Sequence, residues 1–135
     1  MTRREARAEI ISLIFEYAFR PGESAESILN GAVECRGLED EEYIRSCFAG
    51  TVEKLGFIDG KIEQYSNGWK IGRISPVALA VMRLAIYEMY FRDDVPAKVA
   101  LNEALELVKT YDDADKVKPF VNGILNAVMQ EPDVK

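Results

Sequence analysis

A chain of 135 residues, 48% apolar and 30% charged, has the size of one globular domain or of two small lobes sharing a core. No apolar run nears the ~20 residues that span a membrane, and the charged start MTRREARAE lacks the apolar stretch of a signal peptide, so a cytoplasmic address with no membrane partner is expected. A net charge of −6 argues against a nonspecific nucleic-acid coat while leaving room for a local basic patch, and the lack of histidine removes the commonest general base and metal ligand.

The first helix is predicted to start at Thr2. Thr2 and Glu5 have the spacing of a capping box, in which each side chain satisfies a free backbone amide at the other's position. Ile10, Leu13, Ile14, Tyr17 and Ala18 recur at three and four and form one buried face, and Pro21-Gly22 ends the helix. A second helix runs from about Ser24 to Cys35 and is closed by Arg36-Gly37.

A long third helix is predicted from about Glu39 to Tyr65. Its seam is Ile44, Phe48, Thr51, Leu55, Ile58, Ile62 and Tyr65. Gly50, Gly56 and Gly60 each weaken it by roughly 1 kcal/mol relative to alanine; they mark either a close helix approach or a break near Gly56. Asn67-Gly68 reads as a turn, and Trp69 to Ile74 as a short connector.

Ser75-Pro76 opens the next helix, serine as cap and proline where its missing N–H costs nothing. The residues from Val77 to Met89 are apolar nearly all round, which places this helix at the centre of the fold. After the loop Asp93–Pro96, a helix from about Ala97 to Thr110 turns Leu101, Ala104, Leu105 and Val108 inward. Asp112 to Asp115 is a predicted loop. The last helix is expected from about Lys118 to Gln130, with Pro119 in its first turn and Val121, Ile124, Leu125 and Val128 buried. No segment alternates as a strand. The expected class is all-α, about seven helices in two packed bundles, with lobes at about 1–66 and 69–135.

Little here suggests catalysis. GxSxG, P-loop and GxGxxG motifs are missing. Cys35 and Cys47 lack metal-site spacing, and the acidic block Glu39 to Glu42 reads as a solvated helix start favoured by the dipole. No enzyme, metal or cofactor is expected. Two places hold better leads. Arg3, Arg4 and Arg7 cluster on one side of a helix, and guanidinium forks suit phosphates and base edges; the plainer alternative is a solvated tail. Phe120, with Lys116 and Lys118 beside it and Asn122-Gly123 following, is either a stacking and phosphate-contact patch or a core plug beside a closely packed helix. Asn102-Glu103 reads as structural support, hydrogen-bonded to the Asp93–Pro96 loop.

Four segments occur in order: Arg83-Leu84-Ala85-Ile86-Tyr87-Glu88, Asp94-Val95-Pro96, Val99-Ala100-Leu101-Asn102-Glu103-Ala104 and Phe120-Val121-Asn122-Gly123. In this order and spacing they resemble the bacterial NusB family, and Arg3-Arg4-Glu5-Ala6-Arg7 resembles that family's arginine-rich start. The resemblance implies an all-helical transcription antitermination factor without cofactor. It would bind boxA RNA of nascent ribosomal RNA transcripts together with ribosomal protein NusE, as part of the transcription elongation complex. By the same resemblance, Arg3, Arg4 and Arg7 would contact RNA, joined by Asp115 and Lys116 in a loop, by Lys118, by Phe120 and Asn122 at the start of the last helix, and by Phe15 at the border. Tyr87, Glu88 and Arg92 would face NusE.

Two positions depart from the family pattern. Ala78-Leu79 stands where an acidic-basic pair is common, which alters any NusE contact made by that pair. Lys116-Val117-Lys118-Pro119 stands where a small polar residue is common, and proline removes an amide donor there. A NusB-like domain also precedes the catalytic domain of some RNA methyltransferases; the chain has no room for one after Lys135, so it reads as the free-standing factor. The rival expectation is a helical protein-interaction adaptor that does not touch RNA, with homodimerisation through the arginine face as a variant.

Overall fold

The computed structural model describes residues 1–39, 41–111 and 114–134. In chain order the helices are α1 (Arg3–Ala18), α2 (Ala25–Arg36), α3 (Glu42–Glu53), α4 (Leu55–Tyr65), α5 (Pro76–Phe91), α6 (Ala97–Tyr111) and α7 (Ala114–Met129). A 3₁₀ turn, Ile71–Arg73, precedes α5, and the described residues contain no strand.

The caps form as the residues dictate. Thr2 and Glu5 make both bonds of the capping box, Glu5 N–H to Thr2 Oγ1 at 3.1 Å and Thr2 N–H to Glu5 Oε1 at 2.7 Å. Ser24 Oγ accepts from Ser27 N–H at 3.0 Å to start α2, and Gly37 ends it in the left-handed conformation at φ +67°. Ser75 caps α5, with Pro76 in its first turn.

The centre of the molecule is α5, packed against α1, α3, α4, α6 and α7. Every residue from Ala78 to Ile86 is buried, including Arg83, whose guanidinium forks onto Asp59 at 2.9 and 2.8 Å. Around it lie the expected faces: Ile10, Leu13 and Ile14 of α1, and Val121, Ile124, Leu125 and Val128 of α7.

Two boundaries and one buried position differ from the leading expectation. The long third helix is two helices, broken at Lys54 (φ −99°, ψ 15°), two residues from the break near Gly56 that was one of the two alternatives. Thr51 Oγ1 donates back to the Cys47 carbonyl at 2.7 Å one turn before the break, a bond that bends helices. The bend lets Ile44, Phe48 and Thr51 pack toward α1 and α5 while Ile58 and Ile62 pack toward α5 and α7. Second, α7 begins at Ala114, so Asp115 and Lys116 occupy its first turn and Pro119 its second. The Asp112 and Asp113 part of the expected loop lies outside the described residues, as does Asp40 of the acidic block. Third, α6 buries Leu107 where Leu105 was expected; Leu105 is half-buried.

Candidate nucleic-acid interface

The first turns of α1 carry three arginines with three different environments. Arg7 is 4% exposed. Its Nε donates to both oxygens of Glu88, at 3.2 and 3.1 Å, and its Nη1 lies 3.7 Å from Glu103 Oε1. Glu88, itself buried on α5, also accepts a hydrogen bond from the Tyr43 hydroxyl of α3. Burial pushes the Glu88 carboxyl above its ordinary range, against the pull of the Arg7 charge and the Tyr43 hydrogen bond. Burial and the same carboxylate push the Tyr43 phenol far above its own range. This group of three ties α1, α3 and α5 together. Arg7, expected to contact RNA, and Glu88, expected to face a partner, are both buried and paired with each other.

Arg4 and Arg3 lie outside that cluster. Arg4 makes a two-pronged bond to Glu103 of α6, at 2.9 and 2.7 Å, with its side chain 59% exposed. These hydrogen bonds hold the Glu103 carboxyl below its ordinary range. Glu103 is therefore tied to α1, and not to the Asp93–Pro96 loop as expected. The Arg3 guanidinium lies over the Tyr43 ring, 3.7 Å from its centroid. Arg92 approaches the same ring to 5.0 Å and forks onto Asp94 at 2.9 and 2.8 Å, which holds the Asp94 carboxyl low. Tyr43 thus carries the half-exposed Arg3 guanidinium and the more buried Arg92, with Asp94 exposed beside them and Glu103 partly buried under Arg4. A phosphate can compete there for the forks of Arg3 and Arg4.

The second set of expected residues lies on α7. Asp115, Lys116 and Asn122 are exposed; Lys118 and Phe120 are half-buried. Gly123 is exposed too, and a methyl group built on it meets nothing within 4 Å, so it does not serve a close helix approach. Lys116 and Phe120 line a groove of about 390 Å³ whose other wall is Trp69 and Arg73. The reading of Trp69 to Ile74 as a connector missed these two; the available signal was a lone tryptophan flanked by Lys70 and Arg73. Phe15 is partly exposed, lies against Phe19 at 4.9 Å between centroids, and borders a separate cavity over Ile71 and Leu79. The arginine cluster and the α7 groove share no lining residue.

On the remaining face, Tyr87 is half-buried over Gly50 and packs 5.6 Å from Phe91, beside the partly exposed Phe57. Ala78 and Leu79, which stand in place of the common acidic-basic pair, are 1% and 7% exposed, so these positions belong to the core. Both cysteines are free, and burial raises the Cys47 thiol to about 11. No helix among the described residues is long and apolar enough to cross a membrane.

Residues 4–130 match the model of the NusB family. The chain is 43% identical over 132 residues to the transcription antitermination protein NusB of Acetivibrio thermocellus, covering 96% of this chain and 90% of that protein. It is 40% identical over 135 residues to the NusB of Natranaerobius thermophilus, at 97% and 96% coverage. Among solved structures it superposes on T. maritima NusB with a TM-score of 0.86, 34% identity and coverage of 97% and 92%. It also matches a crystal structure of the antitermination factors NusB and NusE in complex with dsRNA, with a TM-score of 0.80, 26% identity and coverage of 93% and 94%. Helix order, arginine-bearing α1 and the α7 motif fall within one matched span, and this chain belongs to the NusB family.

Proposed function

We propose that this chain is a transcription antitermination factor that binds boxA RNA of nascent ribosomal RNA transcripts together with ribosomal protein NusE. The observation that carries the reading is the match, over 93% of the chain, to a NusB that is bound to NusE and RNA. The half-exposed guanidinium groups of Arg3 and Arg4 support it, as do Lys116 and Lys118 in the first two turns of α7. The protein acts by binding, without turnover, in the cytoplasm beside the elongating polymerase.

In this reading Arg3 and Arg4 meet the RNA backbone, and Arg7 fixes the helix that presents them. Asp115, Lys116, Lys118, Phe120 and Asn122 supply the second contact region, with Phe15 at its border. Tyr87 and Arg92 remain the candidates for the NusE side. Size-exclusion chromatography with light scattering tests the assembly. A single ternary peak of chain, NusE and boxA RNA is expected; separate elution of all three contradicts the proposal.

A further inference from the structure

We infer that the groove between Trp69 and Phe120 seats one unpaired nucleobase of a bound RNA, with Arg73 and Lys116 taking the phosphates that flank it. The inference rests on the RNA-binding reading and extends it to two residues outside the expected set.

The backbone that carries the indole is held by local hydrogen bonds. Asn67 (φ +53°) and Gly68 (φ +89°) turn the chain, Trp69 N–H donates to the Ser66 carbonyl at 3.1 Å, and Ser66 Oγ donates to the Trp69 carbonyl at 2.6 Å. Glu63 then accepts from Ile71 N–H at 3.2 Å. Yet Trp69 is 54% exposed. Its ring meets that of Phe120 edge to face, at 6.3 Å between centroids and 67°, and its exposed surface is what a base would stack on. Ile74 and Ala78 make an apolar floor. The volume, about 390 Å³, is that of a small-ligand site.

Charge selects the occupant. Arg3, Arg4, Arg7, Arg83 and Arg92 all face carboxylates. Arg73 and Lys116 are exposed, and among the described residues neither has a carboxylate partner. An exposed indole beside an apolar floor, with the exposed cations Arg73 and Lys116 at the rim, suits a flat apolar ring that carries phosphates. Single-stranded RNA offers this: its bases can leave the stack and lie on aromatic side chains, whereas paired bases in a duplex cannot enter a concave site.

Trp69 is the only tryptophan in the chain, so its emission reports this groove alone. A boxA RNA is titrated into the full-length protein while anisotropy of a fluorescein-labelled copy reports total binding. Saturable quenching of Trp69 in step with the anisotropy rise is expected, with little quenching by an RNA of equal length made abasic within boxA. Trp69→Leu and Arg73→Gln should each weaken binding by about tenfold, and Trp69→Phe should retain most of it. Arg73→Gln alters only an exposed side chain and guards against a folding artefact. An anisotropy rise with unmoved Trp69 emission overturns the groove assignment and leaves the RNA-binding reading intact. No anisotropy change, even with NusE added, removes both. Loss of NusE capture by Trp69→Leu and Arg73→Gln at unchanged RNA affinity makes the groove a protein-docking site and overturns the inference.

Discussion

Arg4 and Arg7 lie one turn apart and both approach Glu103, yet they do different work. Arg7 neutralises a buried carboxylate, so Arg7→Ala strands Glu88 and should cost about 3–5 kcal/mol in a urea titration. Arg4 sits in a surface bridge, so Arg4→Ala should leave stability nearly unchanged. The same Arg4 variant should weaken RNA binding and lower the slope of log affinity against log salt by about one. The acid response follows from the surface carboxylates. Glu103 and Asp94 have lowered folded-state values, so their contribution is present above the ordinary carboxylate range and is lost as pH falls below it. Glu88 is raised and runs the other way, its contribution falling as pH rises through its folded value. Thermal melts should therefore lose stability in acid below the ordinary glutamate value of 4.5, and Glu103→Gln should flatten that loss. The clustering of Arg3, Arg4 and Arg7 was legible from their spacing. Their partners were not, because Arg7 meets Glu88 across 81 positions and Arg4 meets Glu103 across 99, and only the folded chain brings such pairs together.

At the scale of elements, three glycines with similar sequence settings separate in space. A methyl group on Gly50 of α3 would run into the Tyr87 ring, whereas Gly60 of α4 and Gly123 of α7 face open space. Gly50→Ala should destabilise by about 1–3 kcal/mol through overpacking. Gly60→Ala and Gly123→Ala should each stabilise by up to about 1 kcal/mol. Melting temperatures would move in opposite directions, and a parallel shift would contradict the packing of α3 on α5. The capping signals at Thr2, Ser24 and Ser75, and the apolar stripes of α5 and α7, were readable because they depend on local chemistry. The break was readable only as one of two alternatives near Gly56, because its place at Lys54 depends on a back-bonded Thr51 and on two halves packing on different helices. The early start of α7 escaped because proline is commonest in a first turn, and here the helix extends a turn ahead of it, with Asp115 at the favourable end of the dipole.

For the whole molecule, apolar periodicity and the all-round apolar α5 were enough to place one helix at the centre of an all-α fold. The four ordered motifs were enough to point to the NusB family, to which the chain belongs. Net charge was a poorer guide. The molecule is acidic, but three arginines lie on the first turns of α1, and the arginine face depends on Tyr43, which carries no charge. The central claim is recognition of boxA RNA with NusE, and an anisotropy titration of boxA RNA against a scrambled RNA, with and without NusE, tests it most directly. The account predicts tighter binding to boxA, strengthened by NusE and weakened by salt. Equal weak binding to both RNAs, unmoved by NusE, would contradict it.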